Sequence, residues 1–169
     1  MRSDSRTFEQ LLDGYFNTFY REHPADATHV GLSTGEGRLN PATLTALRKQ
    51  QARRRAALGK LDTIAPSALS NEQNLDRLAF RARLLRECEE FDRGRHELDP
   101  TGIDEVLGFL LKELQRGEDK PKRAARNIRG LLRDTPRYLG QAARLVTRPE
   151  RVWRGIMTDS FKASGVFFD

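Results

Sequence analysis

The chain has 169 residues and a formal net charge of +6, from 30 Lys and Arg against 24 Asp and Glu. Its nine Phe residues and abundant Leu can fill a core at this length, which excludes an intrinsically disordered chain. The single cysteine, Cys88, excludes an internal disulfide and a zinc ribbon, and no run of about 18 apolar residues could cross a membrane.

The N-terminal segment predicts a long amphipathic helix in a cytoplasmic protein. Its first ten residues, MRSDSRTFEQ, lack the apolar stretch of a secretory signal, so we expect no export. Aromatic and leucine side chains follow the i, i+3, i+4 spacing of one helix face: Phe8, Leu11, Leu12, Tyr15, Phe16, Phe19 and Tyr20. Pro24 then moves the backbone of His23 out of the α region, which predicts the end of this helix.

A second helix is predicted from Asn40-Pro41, a capping side chain followed by a proline that suits the first turn. Its apolar face carries four leucines: Leu44, Leu47, Leu58 and Leu61. Arg54 falls on the same face, where an unpaired charge would be costly. We expect Arg54 to be partly buried, either paired with a carboxylate or a carbonyl, or packed by its stem with the charged end in water.

The third predicted helix begins with the capping box Ser70-Asn71-Glu72-Gln73 and is apolar on two sides. One side carries Leu75, Leu78, Ala79, Ala82 and Leu85. The other side carries Phe80, Leu84 and Phe91. Because a helix that is apolar on two sides is normally enclosed by neighbours, we expect it to be the most enclosed element.

The remaining sequence predicts four more helices, each introduced by a proline. The fourth helix follows Asp99-Pro100, and Pro121, Pro136 and Pro149 each suit the first turn of a later one. No strand-like alternation runs longer than four residues. The sequence therefore predicts an all-α fold, an irregular bundle of about seven amphipathic helices, in a single domain of residues 1–169.

The segment HPADATHVGLSTGEG, residues 23–37, is the first candidate for chemistry. A phosphate-binding loop needs a second glycine five residues after Gly31 and then a lysine, but that position holds Glu36. His23 and His29 lack a neighbouring cysteine or third histidine to complete a metal site. We interpret the segment as a turn and connector.

The segment HELDP, residues 96–100, begins like the zinc-peptidase motif H-E-x-x-H. Pro100 stands where the second histidine must lie, and proline also interrupts the helix that the motif requires. No Ser-His-Asp or Cys-His arrangement is specified either. The sequence thus assigns no catalytic residue, no metal ligand and no cofactor-binding residue to this chain.

Arginines in the last third form a candidate basic patch: Arg123, Arg126, Arg133 and Arg137. They could meet nucleic-acid phosphates or an acidic protein partner. Acidic residues are interspersed, however, and few aromatics lie on the basic faces to stack bases. A solvated helix surface is the favoured interpretation, and nucleic acid is a disfavoured partner.

Aromatic residues near the C-terminus form a candidate interface: Trp153, Phe161, Phe167 and Phe168. Exposed together, they would make an apolar patch of the kind that marks a protein interface. We expect them to contact another chain or a missing C-terminal part, so that Asp169 is not a natural domain boundary. The alternative is that they fold back onto the third helix.

Two motifs occur in order along the chain. The segment HPADATHVG supplies the first, with Pro24, Ala27, Thr28 and Gly31. The second comprises Arg133, Pro136, Tyr138, Leu139 and the later Pro149. Together with the Tyr-rich first helix, they resemble the opening region of a bacterial family, domain of unknown function 885, over nearly the whole chain.

The resemblance implies a role without catalysis. Members of that family are long, mostly helical proteins similar to zinc metallopeptidases, including carboxypeptidase-like enzymes, and their H-E-x-x-H helix lies far downstream of the matched region. This chain would then be a non-catalytic N-terminal part that walls one side of a cleft for peptide substrates. It would need no cofactor, zinc being implied only for a missing catalytic part.

Two function classes follow from these observations. In the first, the partner is the missing C-terminal catalytic part or another protein chain. In the second, the chain is a free-standing helical binding module whose basic faces hold nucleic acid or an acidic protein. An H-E-x-x-H motif encoded in frame or in an adjacent gene would favour the first.

Overall fold

The computed structural model describes residues 2–98, 102–117 and 119–168, and the regular structure in these ranges is entirely helical. The described residues form eight α-helices: α1 (Arg2–Glu22), α2 (Pro24–His29), α3 (Leu44–Asp62), α4 (Asn71–Asp92), α5 (Arg95–Leu98), α6 (Gly102–Arg116), α7 (Pro121–Leu145) and α8 (Arg151–Phe168). A 3-10 turn, Pro66–Ala68, precedes α4. The predicted all-α fold is confirmed, whereas the predicted helix start at Asp99-Pro100 lies outside the described residues.

Prolines mark some helix starts as predicted, but not all. Pro121 occupies the first turn of α7, whereas Pro136 lies inside this helix, which continues to Leu145. The prediction of a separate helix at Pro136 is therefore wrong. An interior proline removes one backbone hydrogen bond. The buried face of α7 nevertheless continues across it from Leu131 to Tyr138, and this packing favours one continuous helix.

The chain forms two compact units. The first contains Met1–Phe19 and Thr45–Arg95, and the second contains Tyr20–Leu44 and His96–Asp169. Each unit has its own cluster of buried apolar side chains. The single-domain description of the whole chain stays a prediction.

The core of the first unit forms where α1, α3 and α4 bring apolar faces together. Its buried residues are Phe8, Tyr15, Ala57, Leu61, Ile64, Phe80 and Leu84. The rings of Tyr15 and Phe80 meet edge to face with 5.0 Å between their centroids. Burial, reinforced by the charge of Glu87, raises the pKa of the Tyr15 hydroxyl.

Helix α4 begins at Asn71 with the predicted capping box. The backbone N–H of Gln73 donates to Ser70 Oγ at 3.1 Å, and the N–H of Ser70 donates to Gln73 Oε1 at 3.1 Å. Two of the orphan N–H groups at the start of the helix are satisfied in this way.

The predicted enclosure of α4 is wrong. Phe80 and Leu84 are buried, but the side chains on the opposite face are open to solvent, with Leu75 69% and Leu78 58% exposed. Within the first unit, α1 and α3 supply enough apolar surface to cover one face of α4 only.

The core of the second unit joins α6 and α7 to the segment before α3. Its buried residues are Leu39, Ala42, Val106, Leu110, Leu131 and Tyr138. The Gly37 backbone lies directly against α7, because a Cβ built on Gly130 would fall 2.6 Å from the Gly37 carbonyl oxygen. Gly37 itself has φ +73°, a conformation that favours glycine. Among the described residues, no helix is both long and apolar enough to cross a membrane.

Candidate functional sites

A stripe of small and large apolar side chains lies exposed along α4. It consists of Leu75, Leu78, Ala79, Ala82 and Leu85, which we call the α4 stripe. Leu75 and Leu85 are ten positions apart, which corresponds to about 15 Å along the helix axis. The stripe faces away from the buried side of the same helix, which carries Phe80 and Leu84. Apolar anchors at i, i+3 and i+7 are the pattern by which one helix packs against another.

Helix α8 carries the candidate aromatic interface. Trp153 is half-buried, Met157 is buried, and Phe161 is 56% exposed. The side chains of Phe167 and Phe168 lie outside the described residues. Helix α8 packs on α6 within the second unit, so its inner face is already used for folding.

The predicted connector contains a short helix followed by a glycine-rich loop. Helix α2 occupies Pro24–His29, and Gly31, Gly35 and Gly37 of the following loop all have positive φ angles. Residues 30–43, which we call the connector loop, run from α2 to the start of α3. The loop is held in place mainly by side chains of α7.

Two members of the candidate basic patch hold the connector loop. Arg123 donates from Nε to Glu36 Oε2 at 3.0 Å and from Nη2 to Ser33 Oγ at 3.1 Å. Arg137 donates from Nη2 to the Leu39 carbonyl oxygen at 3.2 Å. Both guanidinium groups are therefore bound to the connector loop, although the Arg137 side chain is still 41% exposed.

Asp134 completes this attachment. Its Oδ2 accepts the Leu39 N–H at 2.9 Å, and its Oδ1 accepts Arg137 Nε at 2.6 Å. The other two arginines of the patch, Arg126 and Arg133, are exposed on α7. Arg123 is half-buried, whereas Arg126, Arg133 and Arg137 are exposed.

These pairings shift the titration of the acidic partners. The hydrogen bond from Arg123 lowers the pKa of Glu36, against an opposing effect of burial. The hydrogen bond from Arg137 lowers the pKa of Asp134 in the same way, and the Leu39 N–H adds to this shift. Both carboxylates are therefore held in the charged form.

A polar cleft of about 230 Å³ lies beside this attachment, at the end of α6 and the start of α7. Three acidic and three basic side chains line it: Glu36, Glu113, Asp119, Arg116, Lys120 and Arg123. We call it the Glu113 cleft. Four of these charges already pair with one another, Arg123 with Glu36 and Arg116 with Glu113.

Glu113 is the most buried charged residue of this cleft, at 4% exposure. Its Oε2 accepts a hydrogen bond from Asn127 Nδ2 at 3.0 Å. Its Oε1 has no hydrogen-bond donor within reach among the described residues. Arg116 Nη1 lies 3.7 Å from that oxygen, beyond hydrogen-bond distance, and donates instead to the backbone carbonyl of Thr28.

Glu113 and Asn127 are not among the residues predicted from the sequence, although their positions within the apolar pattern of α6 and α7 indicate burial. Glu113 lies three positions after Leu110 and seven after Val106, on the apolar face of α6. Asn127 likewise lies on the buried face of α7, four positions before Leu131. A polar residue in phase with an apolar face is the pattern that also singled out Arg54.

The three histidines and the cysteine occupy separate places. His23 is buried, His29 is exposed and His96 is half-buried. In the part of the chain that the structure describes, no three His, Cys, Asp or Glu side chains come together as metal ligands. Cys88 is buried, as its helical pattern predicts, and burial raises the pKa of its thiol.

Comparison with protein-family models, curated proteins and solved structures gives no match to this chain. The likeness to domain of unknown function 885 rests on the motif residues themselves. Pro24 and Thr28 of the first motif are buried in α2, where Thr28 Oγ1 donates to the Pro24 carbonyl oxygen at 2.9 Å. Pro136 and Tyr138 of the second motif belong to α7.

Proposed function

We propose that this chain is a non-catalytic helical region that binds a separate catalytic part, and that the catalytic part resembles a zinc-dependent, carboxypeptidase-like metallopeptidase. In this role the chain walls one side of the substrate cleft, and the catalytic part holds the zinc ion and the peptide. The motif resemblance supports the peptidase class.

The observation that carries the binding role is the α4 stripe. Full burial of an exposed leucine side chain contributes about 1.5–3 kcal/mol, and covering Leu75, Leu78 and Leu85, which are 69%, 58% and 43% exposed, would recover part of that for each. The two alanines between them allow the backbone of a partner helix to approach closely. An amphipathic helix of the catalytic part is therefore the occupant that we propose.

The alternative, a binding module for nucleic acid or an acidic protein, has weaker support. Of the four arginines in the candidate patch, Arg123 and Arg137 bind the connector loop. The other two, Arg126 and Arg133, are exposed on α7 together with further cations of that helix, so any phosphate contacts would be scattered along it.

The test begins with the encoding DNA, which is searched for H-E-x-x-H in frame or in an adjacent gene. A neighbouring product is co-expressed with this chain and the affinity is measured by calorimetry. The variant Leu75→Gln/Leu78→Gln is expected to bind at least about tenfold more weakly, because two apolar anchors are lost. Asp76→Asn, an exposed change on the same helix, is the control and should bind like the wild type.

If the motif is encoded in frame, the same variants are made in the full-length protein. The leucine double variant should then lower the melting temperature of the catalytic part, and Asp76→Asn should not. If the leucine double variant binds the neighbouring product as tightly as the wild type, or leaves the melting temperature of the full-length protein unchanged, the α4 stripe is not the binding surface. Absence of any H-E-x-x-H motif from the gene and its neighbours would refute the peptidase class.

A further inference from the structure

The outer face of α7 carries a row of exposed arginines in the second unit. The row, which we call the α7 ridge, consists of Arg126, Arg129, Arg133 and Arg144. We propose that this face of α7 binds an acidic amphipathic helix of a partner protein. The inference does not depend on the α4 stripe or on the proposed peptidase partner.

The ridge follows one side of the helix. Its members lie three, four and eleven positions apart, and each of these spacings returns to nearly the same side of an α-helix. Arg126 and Arg144 are eighteen positions apart, which corresponds to about 27 Å along the helix axis. The exposed Lys122 extends the row by one turn toward the start of α7. A partner helix that lies along the ridge can therefore meet several of these charges at once.

The ridge arginines lack a counter-charge. Within the described ranges of the chain, none of the four guanidinium groups forms an ion pair or a hydrogen bond. Helix α7 contains seven Lys and Arg residues and one acidic residue, Asp134, which already pairs with Arg137. Like charges three or four positions apart destabilise a helix, and Arg126, Arg129 and Arg133 make two such pairs. Negative charge on a partner would relieve this repulsion.

Helix α4 shows how exposed arginines are balanced elsewhere in the same chain. Three of its arginines pair with glutamates four positions away: Arg83 with Glu87, Arg86 with Glu90 and Arg93 with Glu89. Alternation of sign along a helix is typical of a face that meets only water. The uniform positive charge of the α7 ridge differs from this pattern and indicates an anionic partner.

A row of apolar side chains lies beside the ridge. Its members are all exposed: Ala125, Leu132, Pro136 and Ala143. They are seven, four and seven positions apart, which keeps them on one side of α7. Leu132, at 42% exposure, offers an apolar anchor, and its small neighbours let a second helix approach closely. An acidic amphipathic helix matches both rows, because its carboxylates can face the arginines while its apolar side covers Leu132.

The apolar row favours a protein helix over nucleic acid. A phosphate backbone can bind arginines but offers no apolar surface to cover Leu132. The aromatic residue of α7, Tyr138, is buried, so the outer face of this helix presents no ring on which a base could stack.

The experiment measures the binding of labelled peptides to the complete chain by fluorescence anisotropy. The probe is a capped peptide of three Glu-Leu-Ala-Gln-Glu-Ala-Ala repeats, which places glutamates along one helix face beside a row of leucines. Two matched peptides carry Gln or Lys in place of every Glu. We expect saturable binding of the acidic probe and at least about tenfold weaker binding of the Gln and Lys peptides, because only carboxylates complement the ridge.

Two variants of equal charge locate the binding. Arg126→Gln/Arg133→Gln removes two ridge charges and should weaken binding of the acidic probe about fivefold or more. Arg48→Gln/Lys60→Gln removes the same charge from exposed positions of α3 and should leave the affinity within about twofold of the wild type. All four positions are exposed, so both variants should keep the wild-type circular dichroism spectrum.

A third variant tests the apolar row. Leu132→Gln should weaken binding of the acidic probe, because the anchor beneath the partner helix is lost. The same variant should bind a duplex oligonucleotide of arbitrary sequence like the wild type, since phosphate contacts do not use that side chain.

Three outcomes would overturn the proposal. The first is equal binding of the acidic and Gln peptides, or no saturable binding of the acidic probe. The second is unchanged affinity in a folded Arg126→Gln/Arg133→Gln variant. The third is tighter binding of the duplex than of the acidic probe at physiological salt, which would make nucleic acid the partner of the ridge.

Discussion

Arg54 illustrates how a charged residue on an apolar helix face is accommodated. Its Nε donates to Glu87 Oε2 at 2.8 Å, and the two side chains are only 15% and 13% exposed. The expectation that Arg54 is partly buried and paired is confirmed. Arg83 Nε donates to the other Glu87 oxygen at 2.8 Å, so the carboxylate serves two arginines.

Replacement of Arg54 should be destabilising for this reason. We expect Arg54→Ala to lower the free energy of unfolding by about 2–3 kcal/mol, since Glu87 loses one of its two charged donors in a poorly hydrated place. Urea unfolding provides the measurement. Arg93→Ala is the control: its side chain is 77% exposed and pairs with the exposed Glu89, so the change should stay within about 0.5 kcal/mol. Equal losses in the two variants would contradict the role of burial.

The pairing of Asp134 with Arg137 predicts a dependence of stability on pH. The pKa of Asp134 is lowered in the folded protein, so its stabilising contribution is complete above the unfolded value of about 4 and disappears as the pH falls through the lower folded pKa. Asp134→Asn should therefore be less stable than the wild type near neutral pH, and the difference should narrow as the pH falls below about 4.

Urea unfolding of both proteins over a pH series is the check on that prediction. Asp76→Asn, an exposed aspartate on α4, removes the same charge without removing a contact to the connector loop. A gap between Asp134→Asn and the wild type that stays constant with pH would show that the pairing with Arg137 contributes nothing to the acid dependence.

At the scale of the helix, α4 has one face that packs into the core of the first unit and one face that is exposed to solvent. Leu84 is fully buried and Leu78 is 58% exposed. We expect Leu84→Ala to lower the free energy of unfolding by about 2–5 kcal/mol, because it leaves a cavity in the core of the first unit. Leu78→Ala should change it by less than about 0.5 kcal/mol. If urea or thermal unfolding showed a large loss of stability for Leu78→Ala, Leu78 would be buried in solution, as the sequence predicts.

Helix α7 contains two glycines with opposite expected responses. A Cβ at Gly130 would lie 2.6 Å from the Gly37 carbonyl oxygen, whereas a Cβ at Gly140 meets nothing within 4 Å. We expect Gly130→Ala to destabilise the protein by about 1–3 kcal/mol, since two backbones must separate. Gly140→Ala should stabilise it by about 0.5–1 kcal/mol through the better helix propensity of alanine. We therefore expect the melting temperature of Gly130→Ala to lie below the wild-type value and that of Gly140→Ala to lie above it.

At the scale of the whole molecule, the net charge of +6 is distributed over exposed and internally paired cations. Arg123 and Arg137 bind the connector loop, so the surface offers fewer phosphate contacts than the sequence suggests. We expect any affinity for DNA or RNA to be weak, independent of sequence and strongly reduced by salt. Fluorescence anisotropy with unrelated oligonucleotides at several salt concentrations tests this. Tight binding of one sequence at physiological salt would make the nucleic-acid module the better proposal.

The sequence by itself determined the helical class, the buried face of α1, the capping box of α4 and the partial burial of Arg54. All of these depend on spacing within about two helical turns, where backbone geometry links residue number directly to position in space. The same reasoning could have found Glu113 and Asn127 as polar residues in phase with apolar faces.

The tertiary structure alone decided which apolar faces are covered and which charges are paired. Whether the second side of α4 is enclosed depends on the area that α1 and α3 can supply, and no local pattern encodes that quantity. The contacts of Arg123 with Glu36 and of Arg137 with Leu39 join positions 87 and 98 residues apart. Such pairs form only after the helices have packed, because side-chain spacing along one helix contains no information about the loop that will lie against it.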